Sequence, residues 1–117
     1  MKIAIVGSRE YPKLNLVSEY VKTLEKDVII ISGGAKGVDL VAEQTARQRG
    51  FILIIHYADW NKGKGAGLAR NSLIVADADL IVAFWDGKST GTLDTLKKAK
   101  KAKKPYEIYG PSGKRLR

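Results

Sequence analysis

At 117 residues with a hydrophobic share of 44%, the chain has the length of one ordinary domain, enough to bury a single core and too short for two. The absence of cysteine excludes a disulfide framework and thiolate metal sites, the lone His56 leaves little for a zinc site or a Ser-His-Asp triad, and no apolar run approaches the roughly 20 residues that span a bilayer. The net charge of +9 is local: twelve basic and eleven acidic groups nearly balance up to Leu96, whereas nine basic residues stand against Glu107 alone from Lys97 onward.

The opening "MKIAIVGSRE" is apolar only briefly before it turns, so it reads as a core strand over 3–6 rather than a signal peptide, and a cytoplasmic address is expected. "LNLVSEYVKTLEK" places Leu14, Val17, Val21 and Leu24 on one helical side. A second apolar run, "VIIIS" at 28–32, leads through "GGAKG" into "VDLVAEQTARQRG", a helix with Asp39 in its first turn as a capping group and Gly50 as its stop. "FILIIHY" at 51–57 predicts a third strand, ending on a structural His56. "GAGLARNSLIVADAD" has helical character weakened at its start by Gly65 and Gly67. "LIVAFW" at 80–85 and "YEIY" at 106–109 complete five strands, separated by "TLDTLKKAKKAKKP", whose polar head, lysine foot and Pro105 suit the helix dipole.

The first four runs are continuous and β-branched, as in strands covered on both faces of a parallel sheet. Strands alternating with helices predict a single α/β domain with right-handed crossovers and a five-stranded parallel sheet of order 3-2-1-4-5. That order puts the switch point between strands 1 and 4, where a crevice opens at the carboxyl ends. Three turns border it: "GSREYP", "GGAKGVD" and "WDGKSTGT".

The letters GKST at 87–90 resemble part of a phosphate-binding P-loop, but the glycine required five residues earlier is replaced by Val82, so a triphosphate clamp is excluded. A strand, a Gly/Ser/Thr turn and a helix still leave free amides where an anion can sit, from Gly87 through Ser89, Thr90, Gly91 and Thr92. In the turn after strand 2, Gly33, Gly34 and Gly37 either accommodate positive φ or admit a ligand close to the backbone, with Lys36 in reach of an anion. Gly7, Ser8 and Arg9 reach the switch point after strand 1, where Arg9 suits either a bidentate phosphate contact or a salt bridge near Glu10. Trp60 and Trp85 are either base-stacking platforms or lids on a small core. The lysine-rich last helix is either a solubilising, dipole-matched end or a nucleic-acid surface.

The motifs "VGSREYP", "ISGGAKGVDLVAEQTA", "ADW", "AGLARN" and "FWDGKSTGT", in this order, resemble the SLOG superfamily, and within it the small proteins related to YspA and YpsA. That superfamily includes the LOG phosphoribohydrolases and the DprA/Smf DNA-processing proteins. The resemblance implies a Rossmann-like, three-layer domain over residues 1–109, followed by a basic tail at 110–117. It also implies that a nucleotide or nucleotide-derived ligand is held across these loops, with Asp39 bordering the site. LOG enzymes carry an Arg-Lys pair nine positions before a strand-opening Asp; here Arg70-Asn71 precedes Asp79 by the same interval. The later loop keeps Gly91-Thr92 and has Asp94 where those enzymes place a Glu, which implies catalytic roles for Arg70 and Asp94 in cleaving the N-glycosidic bond of a nucleoside 5'-monophosphate. Asp94 is one methylene shorter, Asp86-Gly87-Lys88-Ser89 replaces a proline and two glycines, and the loop is two residues longer.

Three functions follow as expectations: binding of a nucleotide-related small molecule as a sensor or carrier, phosphoribohydrolase activity, and nucleic-acid binding through the basic helix. No metal or other cofactor and no membrane partner are expected, and the LOG relatives imply a homodimer as one possible assembly.

Overall fold

The computed structural model describes residues 1–63 and 65–117. Five strands, β1 (Lys2–Gly7), β2 (Ile29–Ser32), β3 (Ile52–Ile55), β4 (Leu80–Phe84) and β5 (Tyr106–Tyr109), form one sheet of order β3-β2-β1-β4-β5. All four pairings are parallel. Four helices connect them: α1 (Leu14–Lys22), α2 (Val38–Gln48), α3 (Ala66–Asp77) and α4 (Thr90–Lys101). A single 3₁₀ turn, Trp60–Lys62, precedes α3.

Side chains alternate across a strand, so β1 feeds two cores. Ile3 and Ile5 pack with Val17 and Val21 of α1 and Val38, Ala42 and Ala46 of α2. Ala4 and Val6 pack with Ile74 and Val75 of α3 and Leu96 and Ala99 of α4 on the other face. The result is three layers, helices over both faces of a parallel sheet. Among the described residues no helix is long and apolar enough to cross a membrane.

The continuous apolar runs overstate β2 and β4 by one residue each and β3 by three. β3 ends at Ile55 because its partner β2 stops at Ser32; only the His56 amide continues the ladder, donating to the Ser32 carbonyl at 2.9 Å. β3 is also an edge strand rather than one covered on both faces, with Ile52 64% exposed. The opposite edge, β5, is covered by the basic tail. That tail turns back so that Leu116 N donates to Ile108 O at 2.7 Å and Gly110 N to Lys114 O at 2.9 Å. The buried Tyr11 hydroxyl donates to Gly110 O at 2.7 Å and holds the turn down.

Candidate functional site

The switch point lies between β1 and β4, and their carboxyl ends open into a cleft of about 1020 Å³. Two glycines shape its base. A Cβ on Gly7 would lie 2.4 Å from the Phe84 carbonyl and 2.7 Å from Val38, so only glycine lets α2 approach β1. Gly37, the residue before α2, has φ +76°, and a Cβ there would lie 2.5 Å from the Arg9 carbonyl oxygen. The loop after β1 is thus seated directly on the loop after β2, which carries Arg9 to the cleft.

Of the residues singled out from the sequence, Gly7, Arg9, Asp39, Arg70 and Asn71 line this cleft, together with Ser89, Gly91 and Thr92 from the head of α4. Arg9 makes no ion pair among the described residues. Arg70 Nη1 donates to the Gly33 carbonyl and its Nε to Asn71 Oδ1 at 3.0 Å, which fixes the guanidinium with its second amino group still available. Asn71, 5% exposed, donates through Nδ2 to Gly91 O at 3.2 Å and Asp94 Oδ2 at 3.1 Å, tying α3 to α4.

Other candidates stand just outside the lining. Ser8 is 1% exposed; its backbone joins the Phe84 carbonyl and the Tyr11 and Val38 amides, and its hydroxyl accepts from Asp86 N at 3.1 Å. It locks the loops after β1 and β4 together. Gly33 and Gly34 form the turn leaving β2, while Lys36, Gly87 and Thr90 are exposed beside the cleft. Asp94 Oδ2 accepts from Lys98 Nζ at 2.6 Å as well as from Asn71, so its carboxylate serves the α3–α4 contact. Trp85 is half-buried and donates from Nε1 to Ser89 O at 3.0 Å, whereas Trp60 lines the cleft.

The loop before α4 satisfies part of its own amide set. Asp86 Oδ1 accepts from Lys88 N and Ser89 N, both at 2.8 Å, and Ser89 Oγ caps α4 by accepting from Thr92 N at 3.3 Å. Burial works against the Asp86 carboxylate, but the two amides and the Ser8 hydroxyl together outweigh it and leave its pKa below the ordinary value. An anion in this loop therefore meets the first-turn amides of Thr90 and Gly91 rather than the whole loop.

Two acids at the site stand outside the residues the sequence singles out. Asp86 lines the cleft, and its Asp-Gly-Lys-Ser spacing is a recognisable side-chain turn leading to an N-cap. Glu43 lies one turn after Asp39 on the inward face of α2, 5% exposed, and accepts from Ser32 Oγ at 2.6 Å and Gly34 N at 3.1 Å. Two acids four apart on the buried face of a helix was the available signal. Burial pushes the Asp39 carboxyl up to about 6, against the pull of the Ala35 amide and Arg70.

The model of the YspA, cpYpsA-related SLOG family matches residues 1–63, which carry both the β1 and β2 turns. The chain belongs to this SLOG family. It is 33% identical over 120 residues to the Gene 61 protein of Mycobacterium phage D29, covering 93% of this chain and 96% of that protein. Among solved structures, the SLOG domain is similar to DNA processing protein A of Streptococcus pneumoniae, with a TM-score of 0.78, 25% identity and 93% of this chain covered. The Helicobacter pylori DNA processing protein A, whose structure describes a single-stranded DNA binding mode, superposes with a TM-score of 0.65 and 25% identity over 92% of this chain. This SLOG chain spans 49% and 64% of those two proteins.

Proposed function

We propose that this SLOG domain binds a nucleotide or nucleotide-derived small molecule in the cleft between β1 and β4. The observation that carries the reading is the convergence of Arg9, Arg70 and Lys88 with the open amides of α4 on one cavity at the switch point. Glu10, Asp39 and Asp86 line the same cavity, so its formal charges balance. Such a lining suits a compact ligand with one anionic end and several hydrogen-bonding groups better than a polyanion held by charge alone. Isothermal titration with a panel of nucleoside monophosphates tests it. Binding is expected in the wild type, and Arg9→Ala is expected to weaken it by about 10- to 100-fold, the worth of a charge-assisted contact. A panel without a binder overturns the reading.

A second reading is cleavage of the N-glycosidic bond. It is favoured by Arg70 beside the Asp39 carboxyl in the cleft, whose pKa burial raises to about 6. In that reading Asp94 acts at a distance, positioning Arg70 through Asn71. Release of free base from AMP above that of an Arg70→Ala control supports it, and equal release removes it. Nucleic-acid binding is a third reading. Its support is the likeness to the H. pylori protein and the four exposed lysines of α4 and its end, Lys97, Lys100, Lys101 and Lys103.

A further inference from the structure

The two tryptophans have different surroundings. Trp85 has its ring nitrogen bonded to the Ser89 carbonyl and is half-buried, so it pins the loop before α4. Trp60 is 61% exposed yet lines the cleft, leaving a large apolar face in water beside cationic groups. Its backbone is not loose. Asp59 Oδ1 accepts from Asn61 N at 3.2 Å, Lys62 N donates to Asp59 O at 2.9 Å, and Gly63 N donates to Trp60 O at 3.1 Å.

Gly67 supplies an independent observation. It lies in the first turn of α3 without positive φ, where glycine costs the helix about 1 kcal/mol against alanine and the backbone does not require it. A Cβ at Gly67 would come within 3.1 Å of Trp60 Cη2, with Arg70 Nη2 at 3.9 Å. The missing side chain leaves room for the indole against α3, next to Arg70.

Resting on the nucleotide reading above, we infer that Trp60 is the base-recognition surface of the cleft. The base stacks on the indole seated over Gly67, while the phosphate lies toward Arg9, Lys88 and the head of α4. An aromatic face serves any base, because every base presents a π surface. Selection is therefore for the presence of a base, and the partner class is a nucleotide rather than a bare sugar phosphate.

The test compares AMP with ribose 5-phosphate by titration on the intact chain. The wild type is expected to favour AMP by about 10- to 100-fold, the range of single-base stacking. Trp60→Ala is expected to bring the two ligands to within about twofold by weakening AMP alone, and Trp60→Phe to retain most of the preference. Gly67→Leu, which fills the seat of the indole, is expected to lower AMP affinity without changing that of ribose 5-phosphate. Circular dichroism of each variant checks that the substitutions leave the fold intact. If AMP and ribose 5-phosphate bind the wild type and the ratio is indifferent to Trp60, this inference falls while the nucleotide reading stands. If neither these two ligands nor any other nucleoside monophosphate of the panel binds, both fall.

Discussion

Asp39 shows how the position of one carboxyl governs both stability and the cleft. Its first-turn position on α2 suggests a dipole-complementing cap, but it is 5% exposed and its Oδ2 reaches back to the Ala35 amide at 3.3 Å. The residue before α2, Gly37, has no side chain to cap the helix. Because burial raises the Asp39 pKa from 3.8 to about 6, the folded chain holds this proton more tightly than the unfolded chain. Its stabilising effect is complete below about pH 4 and is lost as the pH rises through about 6. Asp39→Asn removes that loss. The expected outcome is a gain on the order of 2 to 3 kcal/mol at pH 7 and little change at pH 4, measured by urea unfolding at both values. A variant no more stable than the wild type at pH 7 would refute the assignment.

The loops at the carboxyl edge act as a unit because each is braced by another. Gly37 supports Arg9, Ser8 joins the β1 and β4 loops, and Asn71 ties α3 to the start of α4. Gly37→Ala is the direct probe of this arrangement, since the backbone there has φ +76° and ψ −121° and the new methyl would strike the Arg9 backbone. Destabilisation by about 3 kcal/mol is expected in urea, together with weaker nucleotide binding as Arg9 is displaced. Weaker binding with unchanged stability would mean that the loop yields locally and is not braced. That glycines would cluster here was legible from "SGGAKGVD"; which neighbour each one makes room for was not, because Arg9 and Tyr57 reach Gly37 and Gly34 from other segments of the chain.

Across the whole molecule, charge and cleft separate. α4 begins at the carboxyl edge of β4 and runs back along the sheet, so Lys100 and Lys101 lie roughly 15 Å along its axis from its head at Thr90, at 1.5 Å per residue. Two lysines of α4 and the segment after it are engaged in packing: Lys98 with Asp94 and Leu68 O, and Lys104 with the carbonyls of Ala76 and Ala78 at the end of α3. Replacing Lys97, Lys100, Lys101 and Lys103 by Gln is therefore expected to leave nucleoside monophosphate affinity within about twofold. The same variant should reduce the logarithmic salt slope of any single-stranded DNA binding by about 3, at roughly 0.7 per phosphate contact. A large loss of monophosphate affinity would contradict the separation.

The strand order and the three loops at the switch point could be read from the chain alone, because continuous β-branched runs between helical segments leave few ways to build a parallel sheet. The residue types at the rim, two arginines and the glycine turns, were equally legible. Tertiary structure decided which polar groups face the cleft and which are consumed in holding it. Ser8 meets Asp86 across 78 positions, and Asn71 meets Asp94 across 23. A hydrogen bond between distant segments leaves no periodicity in the sequence, so the partners of Ser8 and Asp94 are seen only in the fold, whereas Trp85 is held within its own loop by Ser89. The fold likewise decides that Trp60 lines the open cleft while Trp85 does not.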